Sequence, residues 1–154
     1  MPQPEAASAS ASLANLVATS SWQDISAQGH EAKRSILNFF ATALGSSNDP
    51  AVLAALRVVS PFSAAGTSSV IGRPERLDIL GASFINAISA NLLDYDDTHL
   101  DTIIHPSAPV AAPAFALAQA RNISGRDLLT ALILAVEVEC RIRNAVSPGH
   151  YARG

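Results

Sequence analysis

Apolar positions recur at helical spacing along most of the chain, and this pattern predicts a series of α-helices. One such pattern covers residues 29–44, where we expect Gly45 to end the helix. Asp49 followed by Pro50 is typical of a helix start, and it predicts a helix to about Val59. A short helix is predicted over residues 13–22. A long helix is predicted over residues 124–144, where a Ser-x-x-Asp capping sequence begins it.

The middle of the chain predicts one further helix, over residues 75–94, which follows a Gly-, Ser- and Thr-rich loop over residues 63–74. Pro113 restricts the next helix to the later part of residues 106–119, because proline donates no backbone hydrogen bond. Large apolar side chains recur at helical spacing on two of these helices, namely Ile36, Leu37, Phe40 and Leu44 on the first and Leu77, Leu80, Phe84, Ile88 and Leu92 on the second. On the second helix, Ala82, Ser83, Ala87 and Ala90 permit close approach by neighbours.

The composition supports an all-α helical bundle. Hydrophobic residues make up 49% of the chain but aromatic residues only 5%, and alanine favours helices over strands. The length of 154 residues fits one domain. Residues 1–12, rich in Ala, Ser and Pro, are predicted to be a disordered lead-in, and residues 13–154 the helical domain.

Charge and hydropathy exclude several classes of partner. The net charge is −3 and the Lys and Arg residues are scattered, so the chain lacks the basic stripe of a nucleic-acid-binding protein. The apolar runs are too short to span a membrane, and the amino terminus lacks the features of a secretory signal. A lone Cys140 in an apolar helix indicates a buried thiol in a reducing compartment, so we expect a cytoplasmic protein.

Acidic residues crowd one segment, where four of the thirteen carboxylates lie between Asp94 and Asp101, and His105 follows before a proline. Carboxylates close together perturb one another, and beside imidazoles they are suited to proton transfer. If the preceding helix continues to Thr98, then Asp94, Asp97 and Thr98 share one face. The alternative is a solvated helix end with His105 bonded to a backbone carbonyl. By contrast, the acid-before-base spacing at Glu137 and Glu139 predicts a solvated face.

Two metal sites are alternatives for the same segment. Asp96, Asp97 and Asp101 are similar to the magnesium-binding motif of isoprenoid diphosphate synthases, which are also all-α. However, the spacing differs, and neither a second such motif nor clustered cations for a diphosphate are present. His99, Asp101 and His105 offer ligands for a transition metal, but without a regular ligand pattern. Acid/base chemistry without a metal is the preferred interpretation.

The order and spacing of several motifs resemble the MmgE/PrpD family, which includes 2-methylcitrate dehydratase and cis-aconitate decarboxylase. The resemblance extends from about Glu31 to Gly154, and the block from Leu93 to Val110 is its most specific part. The motifs are Leu93-Asp-Tyr-Asp-Asp-Thr-His99, His105-Pro-Ser-Ala-Pro-Val110, Ser124-Gly-Arg-Asp-Leu-Leu129, Glu137-Val-Glu-Cys-Arg141 and His150-Tyr-Ala-Arg-Gly154.

The resemblance implies an all-α main domain with the active-site cleft, a separate lid domain further along the chain, a homodimer, and no metal or organic cofactor. Asp94, Thr98 and His105 match active-site positions of the family, and Asp97 and His99 lie in the same block. Asn38 stands where the family usually has aspartate, a difference that we treat as neutral.

Substrates of the family are small di- and tricarboxylates, so a working site needs cations to hold several negative charges. The family draws a further histidine, lysines and a tyrosine from beyond the position of Gly154. We therefore expect a dehydratase- or decarboxylase-type lyase fragment, truncated before the lid domain and inactive by itself. The alternative is a non-catalytic helical fragment or a dimerisation partner of a full-length paralogue.

Overall fold

The computed structural model describes residues 8–64, 66–101, 103–147 and 149, and most of them are helical. The all-α class expected from the sequence is confirmed. In the described residues one pair of two-residue strands accompanies the helices. The elements are α1 (Ala9–Thr19), α2 (Trp22–Ile25), α3 (Gly29–Ser46), α4 (Pro50–Val59), β1 (Ser68–Ser69), β2 (Arg76–Leu77), α5 (Ile79–Asn91), α6 (Ser107–Arg121) and α7 (Gly125–Val146).

The first helix begins earlier than the hydrophobic pattern predicts. Ser8 accepts a hydrogen bond from the backbone N–H of Ala11 at 3.2 Å and so caps α1, which starts at Ala9 rather than Leu13. Residues 9–12, expected in the lead-in, therefore form the first turn of a helix. Residues 1–7 lie outside the described part of the chain, and for them the lead-in stays a prediction.

Helix boundaries follow the local capping groups. Asp49 caps α4 through the N–H of Ala51 at 2.8 Å, as predicted. Gly45 does not end α3, because the helix continues to Ser46, whose buried hydroxyl donates to the Ser89 carbonyl of α5. This tertiary hydrogen bond stabilises the last residue of α3, which follows Gly45.

Helix α5 is shorter at both ends than the predicted residues 75–94. Asp78 caps it, since its carboxylate accepts the N–H of Gly81 at 2.7 Å, while β2 occupies the preceding residues. This bond, together with one from the N–H of Ala64 at 3.0 Å, lowers the pKa of Asp78. The helix ends at Asn91, so the acidic segment follows in a loop.

Helix α6 is continuous through Pro113 and begins directly after Pro106, which corrects the prediction of a helix confined to the later part. Pro113 and Pro109 are both exposed. Pro113 has no N–H, so the Pro109 carbonyl lacks its helical donor. Helix α7 starts after Ser124, which caps it through the N–H of Asp127 as predicted.

Small side chains fill the core between α3, α5 and α6. Phe39 is fully buried in a cluster rich in alanine, whereas Leu37 and Leu80, which belong to the apolar spacing seen in the sequence, are 70% and 81% exposed. Alanines bring helix backbones close together, so the face that carries them is the one buried here. Cys140 is buried, as expected. Within the described residues, each helix is too short or too polar to cross a lipid bilayer.

Candidate active site

The loop between α5 and α6 carries all five residues predicted to form the site. Because α5 ends at Asn91, Asp94, Asp97 and Thr98 do not share a helix face, and the helical arrangement considered for them is wrong. Asp94 adopts a positive φ of 55°, a left-handed conformation that aspartate tolerates better than most residues.

A narrow turn brings His105 back beside the start of this loop. The N–H of His99 donates to the Ile104 carbonyl at 2.9 Å, and the N–H of Ile103 donates to the His99 carbonyl at 2.8 Å. His99 and Ile104 form an isolated antiparallel bridge, and the bond from Ile103 closes the turn between them. As a result, residues 94–98 and His105, separated along the chain, become neighbours in space.

The imidazole of His105 lies between two carboxylates. Its Nε2 atom is 3.9 Å from Oδ1 of Asp94, and its Nδ1 atom is 3.6 Å from Oδ1 of Asp96. The hydroxyl of Thr98 lies 3.3 Å from the same Nδ1 atom. The structure therefore brings Asp94, Thr98 and His105 together, and it adds Asp96 to the group.

Asp96 is the member of this group that we did not single out for acid/base chemistry. Its side chain is fully buried, and Oδ2 accepts a hydrogen bond from Asn91 at 3.0 Å. The Oδ1 atom is buried without a hydrogen-bond partner and faces the imidazole. In the sequence Asp96 and Asp97 are adjacent and chemically identical, so no local signal separates their roles.

Asp97 has a different environment, in which both carboxylate oxygens are used by the fold. Oδ1 accepts the backbone N–H of Ser107 at 3.1 Å, and Oδ2 accepts the hydroxyls of Ser107 and Ser35, the second at 2.7 Å. Asp97 thus caps the first turn of α6 and joins it to α3. None of these three donors belongs to the imidazole of His105.

A cavity of about 460 Å³ opens beside Thr98 and contains His99 and Asp97 in its wall. Asn38, also in the wall, donates from its amide to the Tyr95 carbonyl at 3.0 Å and so helps to hold the loop. Its Oδ1 atom is buried without a hydrogen-bond partner. The cavity is lined by Glu31, Arg34, Ser35, Asn38, Asp97, Thr98, His99, Pro106 and Val136.

Comparison with known proteins assigns the chain to a family. A sequence model of the MmgE/PrpD N-terminal domain matches residues 11–153. The chain belongs to the MmgE/PrpD family. Cis-aconitate decarboxylase of Mus musculus is 39% identical over 87 residues, which are 53% of this chain and 17% of the relative. Cis-aconitate decarboxylase of Homo sapiens is 39% identical over 82 residues, which are 49% of this chain and 17% of the relative.

The match to this chain therefore covers 17% of the length of each of these two relatives. The loop motifs that carry the family resemblance include the clustered side chains of Asp94, Asp96, Thr98 and His105. The last motif, at residues 150–154, lies outside the described residues.

A carboxyl group on α7 also approaches the site. Burial raises the pKa of Glu139, and the charge of Asp97 raises it further. The Oε2 atom of Glu139 is buried without a hydrogen-bond partner. The solvated face predicted from the spacing of Glu139 is therefore wrong for this residue. Glu137 does lie there and pairs with Arg141 at 2.6 Å. The position of Glu139 shows how closely α7 packs behind the loop.

In the described residues, the group whose geometry could hold a metal ion consists of Asp94, Asp96 and His105. Each offers one ligand atom, and these atoms lie within 4.8 Å of one another. This grouping differs from both metal sets considered from the sequence, because Asp97 is committed to capping α6 and neither Asp101 nor His99 belongs to the group. Carboxylate and imidazole ligands at such distances are equally compatible with proton transfer.

Proposed function

We propose that this chain contributes one wall of the active site of a lyase that removes water or carbon dioxide from a small di- or tricarboxylate by acid/base chemistry. The observation that supports this most directly is the position of His105 against Asp94, with Nε2 and Oδ1 3.9 Å apart. Membership of the MmgE/PrpD family and the likeness to cis-aconitate decarboxylases support the substrate class.

In this proposal His105 and Asp94 exchange the proton that the reaction moves. Both groups reach solvent, since the side chain of His105 is 36% exposed and that of Asp94 is 85% exposed, so a substrate can approach them. Thr98 lines the cavity, and its hydroxyl is placed to hydrogen-bond a substrate oxygen there. Asp97 supports the site by fixing α6 against the loop, and His99 contributes to the cavity wall.

The charge of the site argues that further cations take part. Asp94, Asp96 and Asp97 bring several carboxylates to one short loop. Among the described residues that line the cavity, the permanently cationic side chain is that of Arg34, and it already pairs with Glu31 at 2.8 Å. A polycarboxylate is repelled by such a site unless other positive groups bind it. We therefore propose that this chain is inactive by itself and that other parts of a longer enzyme supply the cations. For that enzyme we also propose, from the family resemblance, a homodimer in the cytoplasm.

The first test compares the chain with a chimera. In the chimera, residues 11–153 replace the matching domain of the murine cis-aconitate decarboxylase, which supplies the rest of that protein. We expect carbon dioxide release from cis-aconitate by the chimera and none by the chain alone. Assaying tricarboxylate dehydration in parallel distinguishes the two reaction types.

His105→Ala should reduce turnover by the chimera at least a hundredfold, the usual scale for loss of a general acid or base. Asp101→Asn is the matched control, because Asp101 is an exposed carboxylate of the same loop outside the His105 group. Equal activity of the His105→Ala chimera and the parent chimera would disprove the proposed role. Turnover by the chain alone would disprove its proposed inactivity.

A second candidate, a helical fragment that binds a partner chain, is favoured by one exposed apolar surface. Phe62, Leu80 and Phe84 are 86%, 81% and 55% exposed and line one cavity of about 290 Å³. Clustered apolar side chains of this kind mark interfaces or association. Light scattering of the purified chain tests this candidate. Concentration-dependent dimers support it if the double substitution Phe62→Ser with Leu80→Ser abolishes them. A monomer at all concentrations excludes self-association through this surface.

A further inference from the structure

The starting observation is a buried carboxylate that the acid/base proposal leaves unexplained. The Asp96 side chain is 0% exposed, and a buried charge is costly unless its oxygens are paired. Asn91 pairs with Oδ2, whereas Oδ1 is without a hydrogen-bond partner. Its ion-pair neighbour is Nδ1 of His105 at 3.6 Å, slightly beyond hydrogen-bond length.

The position of Oδ1 restricts where neutral His105 carries its proton. A neutral imidazole has one N–H donor and one acceptor nitrogen, and a carboxylate is an acceptor only. With the proton on Nδ1, the N–H faces Asp96 and the Thr98 hydroxyl. With the proton on Nε2, the lone pair of Nδ1 would instead face the buried negative charge.

Asp94 exerts the opposite influence, because its carboxylate lies near Nε2. However, that contact is longer, at 3.9 Å, and the side chain of Asp94 is 85% exposed, so water screens its charge. The charge of Asp96 acts over 3.6 Å from a fully buried position, where screening is weak. Asp96 is therefore the stronger of the two influences on the imidazole.

We infer that Asp96 is a positioning residue that holds the proton of neutral His105 on Nδ1. The lone pair of Nε2 then faces Asp94 and the open side of the site, where it can accept a proton from a bound substrate. Once Nε2 is protonated, the imidazolium lies between the two carboxylates. The catalytic consequence rests on the proposed function, whereas the position of the proton on His105 does not.

Two-bond ¹H–¹⁵N correlation spectra of the ¹⁵N-labelled chain at mildly alkaline pH, with EDTA to remove metal ions, measure this proton position directly. The signals of His105 are identified by their loss in His105→Gln. We expect the Nδ1–H tautomer to predominate in the wild-type chain. Predominance of Nε2–H in that chain overturns the inference, whatever the variants show.

Asp96→Asn gives the sharpest variant, because Asn91 already donates to the Oδ2 position. The new amide must place its oxygen there and its NH₂ group towards His105, so a donor replaces an acceptor. We expect the ratio of Nδ1–H to Nε2–H to fall by about tenfold or more, because an amide N–H beside Nδ1 favours its lone pair, whereas the carboxylate favours its N–H. An unchanged ratio in a folded Asp96→Asn chain overturns the inference.

Asp94→Asn is the matched control, since it removes the exposed carboxylate and should leave Nδ1–H predominant. A shift to Nε2–H in this control, with none in Asp96→Asn, overturns the inference. In the chimera, Asp96→Asn should reduce kcat by about ten- to a hundredfold with little change in KM. The tautomer ratio is measured without substrate, so an inactive chimera with the expected ratio rejects the proposed function and leaves the inference intact.

Discussion

Asp97 caps helix α6 through Ser107, because its Oδ1 atom accepts the backbone N–H of that residue at 3.1 Å. The other oxygen accepts a hydroxyl from Ser35 of α3 at 2.7 Å. A carboxylate at a helix amino terminus satisfies an otherwise unpaired N–H and interacts favourably with the helix dipole. The loop that presents His105 is thereby fixed at the junction of two helices.

Replacement of Asp97 by alanine should destabilise the fold. We expect the free energy of unfolding to fall by about 1–3 kcal/mol, since the cap and the bonds from two serines are lost together. Urea denaturation followed by circular dichroism measures this change. Asp101→Ala, in an exposed position of the same loop, is the control and should change stability by less than about 0.5 kcal/mol. Equal effects of the two variants would contradict the structural role of Asp97.

Asn86→Ala should be among the most damaging substitutions in α5. The fully buried amide accepts the N–H of Ile71 and donates to the Ser69 carbonyl, both at 2.9 Å. Its loss leaves one buried and one partly buried backbone group unpaired, at an expected cost of about 2–4 kcal/mol. Thermal denaturation compares it with Asn144→Ala at an exposed position of α7, which should behave like the parent chain. A small effect of Asn86→Ala would show that water replaces the amide.

Glu139→Gln should stabilise the chain at neutral pH. Burial and the charge of Asp97 raise the pKa of Glu139 above its ordinary value of 4.5. The folded chain therefore binds this proton more readily than the unfolded chain does, and the stability contributed by this group is lost as the pH rises through the raised pKa. We expect a Tm increase of about 1–3 °C at pH 7, and no increase below pH 4.5, where both states are protonated.

Glu137→Gln is the control for this comparison, since Glu137 lies on the same helix and pairs with Arg141 in an exposed salt bridge. Neutralising it should leave Tm unchanged or slightly lower at pH 7. If both substitutions raised Tm equally, the effect would come from the net charge of the chain and not from burial of Glu139.

Thr98→Val should impair the chimera without unfolding it. Valine has the shape of threonine but no hydroxyl, so it removes the contact with Nδ1 of His105 at 3.3 Å and the proposed bond to substrate. We expect kcat/KM to fall by about tenfold, the equivalent of one hydrogen bond. Thr98→Ser keeps the hydroxyl and should retain most of the activity. Full activity of Thr98→Val would exclude the hydroxyl from the reaction.

The sequence by itself determined the helical class and the membership of the family, and it located the segment that carries the chemistry. Helical periodicity and capping residues such as Asp49 and Ser124 act over a few neighbours, so they can be recognised without knowledge of the fold. These features depend on local interactions.

Tertiary structure decided which helix faces are buried and which acidic residue has which role. Leu80 is exposed and Ala82 is buried on α5, because close approach of α6 favours the small side chain. Asp96 and Asp97 are the same residue type at adjacent positions. Asn91 and His105 surround the first, whereas Ser35 and Ser107 surround the second, and these neighbours meet only when α3, α5 and α6 pack together.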